Sequence, residues 1–211
     1  MMIVGLTGSI GMGKTTAAER FRYNGIPVCD ADAEVHALYA GKAAPLIEDV
    51  FPGTTDAGVV DREKLSKALL ADPSGFKRLE AIVHPLVREA ERAFLQASHD
   101  AGHAIAVLEI PLLFETGGDG LVDKTVVVSA GLDEQRRRVL ERPGMTPEKL
   151  QNILSRQRPD AEKRAKADFI VDSSGSITDS AAQVDDILRQ LNCLANESSN
   201  AEAYHRHWSR R

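Results

Sequence analysis

At 211 residues the chain can form one sizeable core with a lobe inserted into it, and is too short for a string of modules. Lys and Arg total 26 against 31 Asp and Glu, a net charge of −5, which disfavours bulk affinity for a nucleic-acid backbone. A composition 43% hydrophobic and 27% charged excludes a disordered or fibrous chain, and 5% aromatics implies an aliphatic, alanine-rich core.

The longest apolar stretch, Ala104 to Phe114, is interrupted by Glu109 and is far short of the roughly 20 residues a bilayer span needs. The opening MMIVGLTGSI has neither a basic leader nor a small-residue cleavage site, so a cytoplasmic protein is expected. Cys29 and Cys193 are too few and too far apart for a disulfide framework or a zinc site.

In chain order, Met2 to Thr7 reads as a buried parallel strand, and Lys14 to Tyr23 as a helix stopped by Asn24-Gly25. A second short strand covers Ile26 to Cys29 and enters the acidic turn Asp30-Ala31-Asp32. From Ala33 to Gly102 the pattern is mainly helical, with Asp61 as an N-cap and an apolar stripe from Leu79 to Phe94. Pro85 within that stripe predicts a kink or two abutting helices.

Strand character returns at Ala104 to Ile110 and at Thr125 to Val128. Residues Asp133 to Lys166 are helical and arginine-rich, broken at Pro143-Gly144 and Pro159. A last strand, Phe169 to Val171, precedes Asp172-Ser173-Ser174-Gly175 and an amphipathic helix from Ile177 to Leu191. The residues from 196 to 211 show no sustained periodicity and are expected to form a mobile tail.

Strands uninterrupted by polar residues and alternating with helices imply an α/β fold, a five-stranded parallel sheet covered on both faces. The helical stretch after the second strand would be an inserted lobe. The arginine-rich stretch after the fourth would be a lid over the carboxyl ends of the strands.

Gly8-Ser9-Ile10-Gly11-Met12-Gly13-Lys14-Thr15 fits G-x-x-x-x-G-K-[ST] at every constrained position, between a strand and a helix. A chance match in a chain of this composition is roughly 1%, so the segment is read as a phosphate-binding loop and the fold as that of the P-loop NTPases. Glycine at Gly11 and Gly13 lets backbone N–H groups turn toward a phosphate, and the helix N-terminus adds its dipole. Lys14 is expected as an exposed charge for the β and γ phosphates, and Thr15 as a hydroxyl for Mg²⁺. A G-x-G-x-x-G dinucleotide loop starting at Gly11 fails, because Thr16 stands where glycine is required.

Asp30 and Asp32 follow the second strand at the sheet's carboxyl edge, where ligands of open α/β folds bind. They are either carboxylates that take a proton or hold Mg²⁺, or helix caps ahead of Ala33. His36, four residues beyond Asp32, reads as a structural hydrogen-bonding partner rather than a ligand. Seven arginines (136, 137, 138, 142, 156, 158 and 164) crowd one segment. Most would be solvated, but phosphoryl transfer needs a cation over the transferring group, and Arg138 and Arg142, four apart, can point the same way.

LTGSIGMGKTT at 6–16, VCDAD at 28–32, HPL at 84–86 and PLLFE at 111–115, in this order and spacing, resemble the dephospho-CoA kinase family over about residues 1–191. The resemblance implies a nucleotide-binding core (1–32, 103–130 and 167–195), a helical CoA lobe (about 33–102) and a lid (about 131–166). It implies ATP and dephospho-CoA as substrates with Mg²⁺, giving ADP and coenzyme A, and no nucleic-acid or membrane partner.

Carried over residue by residue, Gly8 and Gly11, Met12, Gly13, Lys14, Thr15 and Thr16 would bind the ATP phosphates. Asp32 would be the base facing the ribose 3′-hydroxyl, Arg138 and Arg142 would belong to the lid, and His84 would lie near the acceptor. Members often carry asparagine in the turn after the last strand, where this sequence has Ser173-Ser174. The alternatives are another small-molecule or nucleotide kinase on the same loop, and a regulatory ATPase with no acceptor. A guanine-reading N-K-x-D tetrapeptide is missing from the sequence.

Overall fold

The computed structural model describes residues 1–72, 74–197 and 204–208. In chain order its elements are β1 (Met2–Thr7), α1 (Lys14–Tyr23), β2 (Val28–Asp30), α2 (Ala31–Tyr39) and α3 (Ala43–Val50). The short hairpin β3 (Thr55–Asp56) and β4 (Val59–Val60) comes next, followed by α4 (Arg62–Ala71) and α5 (Gly75–Asp100). Strands β5 (Ile105–Glu109) and β6 (Lys124–Ser129) then lead to α6 (Leu132–Leu140), α7 (Pro147–Leu154), α8 (Asp160–Lys166), β7 (Phe169–Asp172) and α9 (Ile177–Ala195).

Five strands form one sheet in the order β2-β5-β1-β6-β7. The β1 strand pairs in parallel with β5, Met2 opposite Ile105, and with β6, Val4 opposite Lys124. Every residue of β1 and β5 is buried, as a central parallel strand with both faces covered requires. On one face, Met2, Val4 and Leu6 pack with Ala17, Ala18 and Phe21 of α1 and with Val184, Ile187 and Leu191 of α9. The α/β fold with a five-stranded parallel sheet is therefore as expected.

The chain folds as two compact units, residues 1–29 with 95–211 and residues 30–94. The second unit has its own core, in which Leu38, Ile47, Phe51, Leu65, Leu69 and Val83 are buried together. It contains one feature not foreseen, the antiparallel β3–β4 hairpin, with Thr55 opposite Val60. Of the two alternatives expected at Pro85, a kink or two abutting helices, the second is excluded, because α5 runs as one 26-residue helix through it. Proline there forfeits one backbone bond, while Val83, Leu86 and Val87 continue the packed stripe on either side of it.

The mobile tail expected over 196–211 is also corrected in part. Tyr204 and Trp208 are buried, the Trp208 indole N–H donates to the Leu121 carbonyl at 2.8 Å, and the Tyr204 hydroxyl donates to Gln96 Oε1 at 2.9 Å. Large aromatic side chains bury enough apolar area, with a satisfied polar tip, to anchor a short segment. Residues 198–203 and 209–211 lie outside the described residues.

Candidate functional site

Residues 8–13 connect the carboxyl end of β1 to the first turn of α1. Gly11 and Gly13 have φ of +77° and +80°, a region that other L-residues rarely adopt. Gly13 caps α1 without any side-chain hydrogen bond, so the first amides of the helix remain available to an anion. The loop is held from several directions. Ile10 accepts at its carbonyl from Gln135 Nε2 (2.8 Å) and donates its N–H to Gln157 Oε1 (3.2 Å), and the Met12 carbonyl accepts from Ser173 Oγ (2.8 Å). The Met12 side chain is buried and only its backbone belongs to the cradle. Thr15 is exposed and Thr16 half-buried at the start of α1.

Lys14 is not the freely exposed charge expected. Its Nζ donates to Glu109 Oε1 at 2.7 Å, with the Lys14 side chain 15% and the Glu109 side chain 3% exposed. Glu109 is the last residue of β5, so this buried carboxylate sits on the strand beside β1. Arg22 stands 3.8 Å from its other oxygen, Oε2, which accepts no hydrogen bond among the described residues. Sequence reasoning passed over Glu109 as a site residue. The available signal was a single acid at the end of an otherwise apolar buried run, which is rare unless the acid is paired.

A cleft of about 460 Å³ opens beside the loop. Gly11, Gly13 and Thr16 line one part of it, Arg137, Arg138 and Arg142 another, and Ser173, Gly175, Ser176, Ile177 and Ser180 a third. Of the two arginines singled out from the sequence, Arg138 is fixed. Its Nε donates to Glu134 Oε1 (2.7 Å), Nη1 to Ser173 Oγ (3.1 Å) and Nη2 to the Ser173 carbonyl (2.6 Å).

Arg142 is exposed and forms no side-chain hydrogen bond or ion pair among the described residues. Arg137, not chosen from the sequence, also lines the cleft but is engaged by Glu134 and Glu141. Hydrogen bonds from Arg137, and then from Arg138, hold the Glu134 carboxyl down to about 2.

The loop after β5 carries Glu115, which pairs at 2.8 Å with the fully buried Lys163 of α8 and accepts from the Arg158 N–H. Burial works against ionisation of Glu115, but these two partners outweigh it and its pKa is lowered. Glu115 and Lys163 thus tie the PLLFE segment to the segment that follows the arginine-rich helices.

In the unit of residues 30–94 the two aspartates have different surroundings. Asp30 is the N-cap of α2, its Oδ1 accepting from the N–H groups of Asp32 (2.9 Å) and Ala33 (3.2 Å). Asp32, in the first turn, is exposed and its carboxylate takes no part in the cap. His84 is exposed on α5. His36 Nε2 lies 2.8 Å from Arg62 Nη1, so its side-chain partner is Arg62 rather than Asp32, four residues before it. Among the described residues no group of three or more His, Cys, Asp and Glu could hold a metal ion. No helix among them is long and apolar enough to cross a membrane.

Residues 2–179 match the family model for dephospho-CoA kinase. A dephospho-CoA kinase from Brucella melitensis is 59% identical over 191 residues, covering 90% of this chain and 96% of the relative. A solved structure of a Thermus thermophilus protein is 36% identical with a TM-score of 0.77, over 90% of this chain and 97% of that one. The structure of dephospho-CoA kinase from Campylobacter jejuni, 23% identical with a TM-score of 0.63, shares the fold over 90% of this chain and 96% of its own. With a phosphate loop at the carboxyl edge of a parallel sheet and a match over most of its length, this chain belongs to the dephospho-CoA kinase family.

Proposed function

We propose that this chain transfers the γ-phosphoryl group of ATP to the ribose 3′-hydroxyl of dephospho-CoA, the last step of coenzyme A synthesis. The observation that carries this reading is the phosphate loop ahead of α1, with its glycines at positive φ and its helix N-terminus uncapped by any side chain, in a chain of this family. The 3′-oxygen attacks the γ-phosphorus, the bond to the β–γ bridging oxygen breaks, and ADP leaves. In such a reaction the protein mainly positions the groups and neutralises charge.

Each part has a candidate. Gly8 and Gly11 to Thr16 cradle the phosphates through backbone N–H groups, and Lys14, oriented by Glu109, supplies the cation at the β and γ oxygens. Arg142, with no competing ion pair among the described residues, is the guanidinium able to meet charge developing on the transferred group. Arg138 shapes the cleft from its fixed position. Asp32 accepts the proton of the 3′-hydroxyl, its carboxylate being free of the cap that occupies Asp30. His84 contacts the acceptor from the exposed side of α5.

Mg²⁺ fits this donor set. Magnesium prefers oxygen ligands and keeps several waters, needing few protein groups beyond the substrate phosphates. The exposed Thr15 hydroxyl is such a group. When bound, the ion would neutralise charge on the substrate phosphates. We assign the nucleotide core to 1–32, 103–130 and 167–195, the CoA lobe to 33–102 and the lid to 131–166. Both substrates are soluble metabolites, which fits a cytoplasmic location.

The test is ADP release by the purified chain with and without dephospho-CoA. Stimulation of tenfold or more, with coenzyme A as product, is expected. Equal release without acceptor would identify an ATPase instead, and stimulation only by a different alcohol would identify a different kinase.

A further inference from the structure

We propose that Gln135 and Gln157 are positioning residues of the phosphate loop. Between them they fix both peptides of Ile10, so that the Gly11 N–H stays turned out for a phosphate oxygen. The proposal rests on the reading of residues 8–15 as a phosphate loop and concerns what holds that loop in its binding form.

Ser9 to Met12 form a turn closed by the Met12 N–H, which donates to the Ser9 carbonyl at 3.2 Å. Gly11, third in this turn, has φ +77°, whereas Ile10 is not among the residues at positive φ. That combination is a type II turn. A type I turn differs from it by a flip of the central peptide, here Ile10–Gly11. Glycine takes either sign of φ readily, so Gly11 itself does not select between the two. The choice falls to what the peptide touches.

Two glutamines touch it. Gln135 Nε2 donates to the Ile10 carbonyl at 2.8 Å, and Gln157 Oε1 accepts from the Ile10 N–H at 3.2 Å. A glutamine amide carries both a donor and an acceptor, and each of these two presents the end that its backbone partner requires. In a planar trans peptide the N–H points opposite to the C=O. Fixing the Ile10 carbonyl on Gln135 therefore aims the Gly11 N–H away from that side chain, and this N–H has no hydrogen-bond partner among the described residues. A flipped peptide would present the carbonyl oxygen there instead, the wrong sign for an anion.

Gln135 is buried on α6. The helix comes this close because Gly11 has no side chain: a Cβ added there would lie 2.5 Å from Val139 Cγ2 and 3.1 Å from the Gln135 carbonyl oxygen. The same helix reaches the loop a second way, since Arg138 donates to Ser173 Oγ, which in turn donates to the Met12 carbonyl. The helix that brings Arg138 to the cleft thus also sets the loop.

The experiment measures ADP binding to the full chain by calorimetry, well below the melting temperature, for the parent chain, Gln135→Met and Gln157→Leu. Methionine keeps the length of glutamine without its donor, and leucine removes the acceptor. Each variant should weaken ADP binding by about 3–10-fold, the bias that one neutral hydrogen bond supplies. KM for dephospho-CoA at saturating ATP should stay within about twofold, because the loop holds only the donor's phosphates. A side chain that served packing alone would lower the melting temperature and leave ADP affinity unmoved. Unchanged ADP affinity in either folded variant overturns the proposal, as does an equal weakening toward ADP and dephospho-CoA. Should Gln135→Met fail to fold, Gln157→Leu decides, since Gln157 is half-buried and lies between α7 and α8. A parent chain that binds ADP but forms no coenzyme A ends the transfer reading and leaves this comparison standing.

Discussion

Lys14 Nζ and Glu109 Oε1 lie 2.7 Å apart, joining the first residue of α1 to the last residue of β5. The pair spans 95 positions of sequence and is mostly removed from water. Removing one member of such a pair strands the other as an uncompensated buried charge, whereas removing both leaves nothing stranded. Lys14→Met and Glu109→Gln should therefore each destabilise the chain, and the double variant should be more stable than the sum of the two losses. A coupling of about 1–3 kcal/mol in urea unfolding is expected. Strict additivity would show that the contact contributes nothing to the fold.

Glu91 is buried on α5, and its burial raises its carboxyl to about 7; Arg88 pulls against that shift and Glu34 adds to it. The folded chain then binds this proton more tightly than the unfolded chain, whose glutamate titrates near 4.5. Stability from this group is full below about pH 4.5 and declines as pH rises through about 7. Glu91→Gln removes the titration. At pH 8 it should stabilise by about 2–3 kcal/mol, and near pH 4.5 by little. Melting curves at the two pH values decide this, and an equal shift at both would place the effect elsewhere.

The strands and the phosphate loop were legible in the sequence because their causes are local. Six consecutive buried residues in β1 and a fixed glycine spacing each leave a mark in adjacent letters. The β3–β4 hairpin left none, since its strands are two residues each and its turn places Ala57 at φ +48° ahead of Gly58. The usual turn signal puts asparagine, aspartate or glycine where Ala57 stands. Glu109 stayed hidden for a different reason, because its partner is fixed by the pairing of β1 with β5. The aspartates were half legible: capping chemistry was visible, but which of the two caps depends on the φ and ψ of Asp30.

Gly11 cannot become alanine without two costs. Its φ is +77°, and an added Cβ would lie 2.5 Å from Val139 Cγ2 and 3.1 Å from the Gln135 carbonyl oxygen. Gly102 has nearly the same φ, +79°, with nothing within 4 Å of such a Cβ. Gly102→Ala should therefore cost only the left-handed backbone term, about 1–2 kcal/mol. Gly11→Ala should cost more and raise KM for ATP, because the loop must shift away from α6. Equal unfolding midpoints for the two variants would mean that α6 yields without resistance.

The two cleft arginines should separate in assays. Arg138 makes three hydrogen bonds to Glu134 and Ser173, so Arg138→Ala should lower the melting temperature by a few degrees as well as activity. Arg142 has no such partners among the described residues, and Arg142→Ala should leave melting unchanged. If its guanidinium meets charge in the transition state, kcat should fall by about 10³ with little change in KM for ATP. Unchanged kcat would remove Arg142 from the chemistry and leave it as a solvated side chain.

Asp30 and Asp32 give the sharpest comparison, since they are two residues apart and the same size. Asp30 accepts from two backbone N–H groups at the start of α2, whereas the Asp32 carboxylate is exposed in the first turn. Asp30→Ala removes a cap and should cost about 0.5–2 kcal/mol. Asp32→Asn keeps size and leaves the Asp30 cap in place, so thermal stability should hardly move. A positioned base contributes about 10²–10⁴ in rate, and in a loose phosphoryl-transfer transition state the hydroxyl loses its proton late. The loss of kcat in Asp32→Asn should therefore lie near 10², measured as coenzyme A formed. Raised Mg²⁺ should not restore it if the lost function is proton acceptance, whereas restoration would make Asp32 a metal-side residue. An Asp32→Asn variant with full activity and a lowered melting temperature would return both aspartates to a capping role.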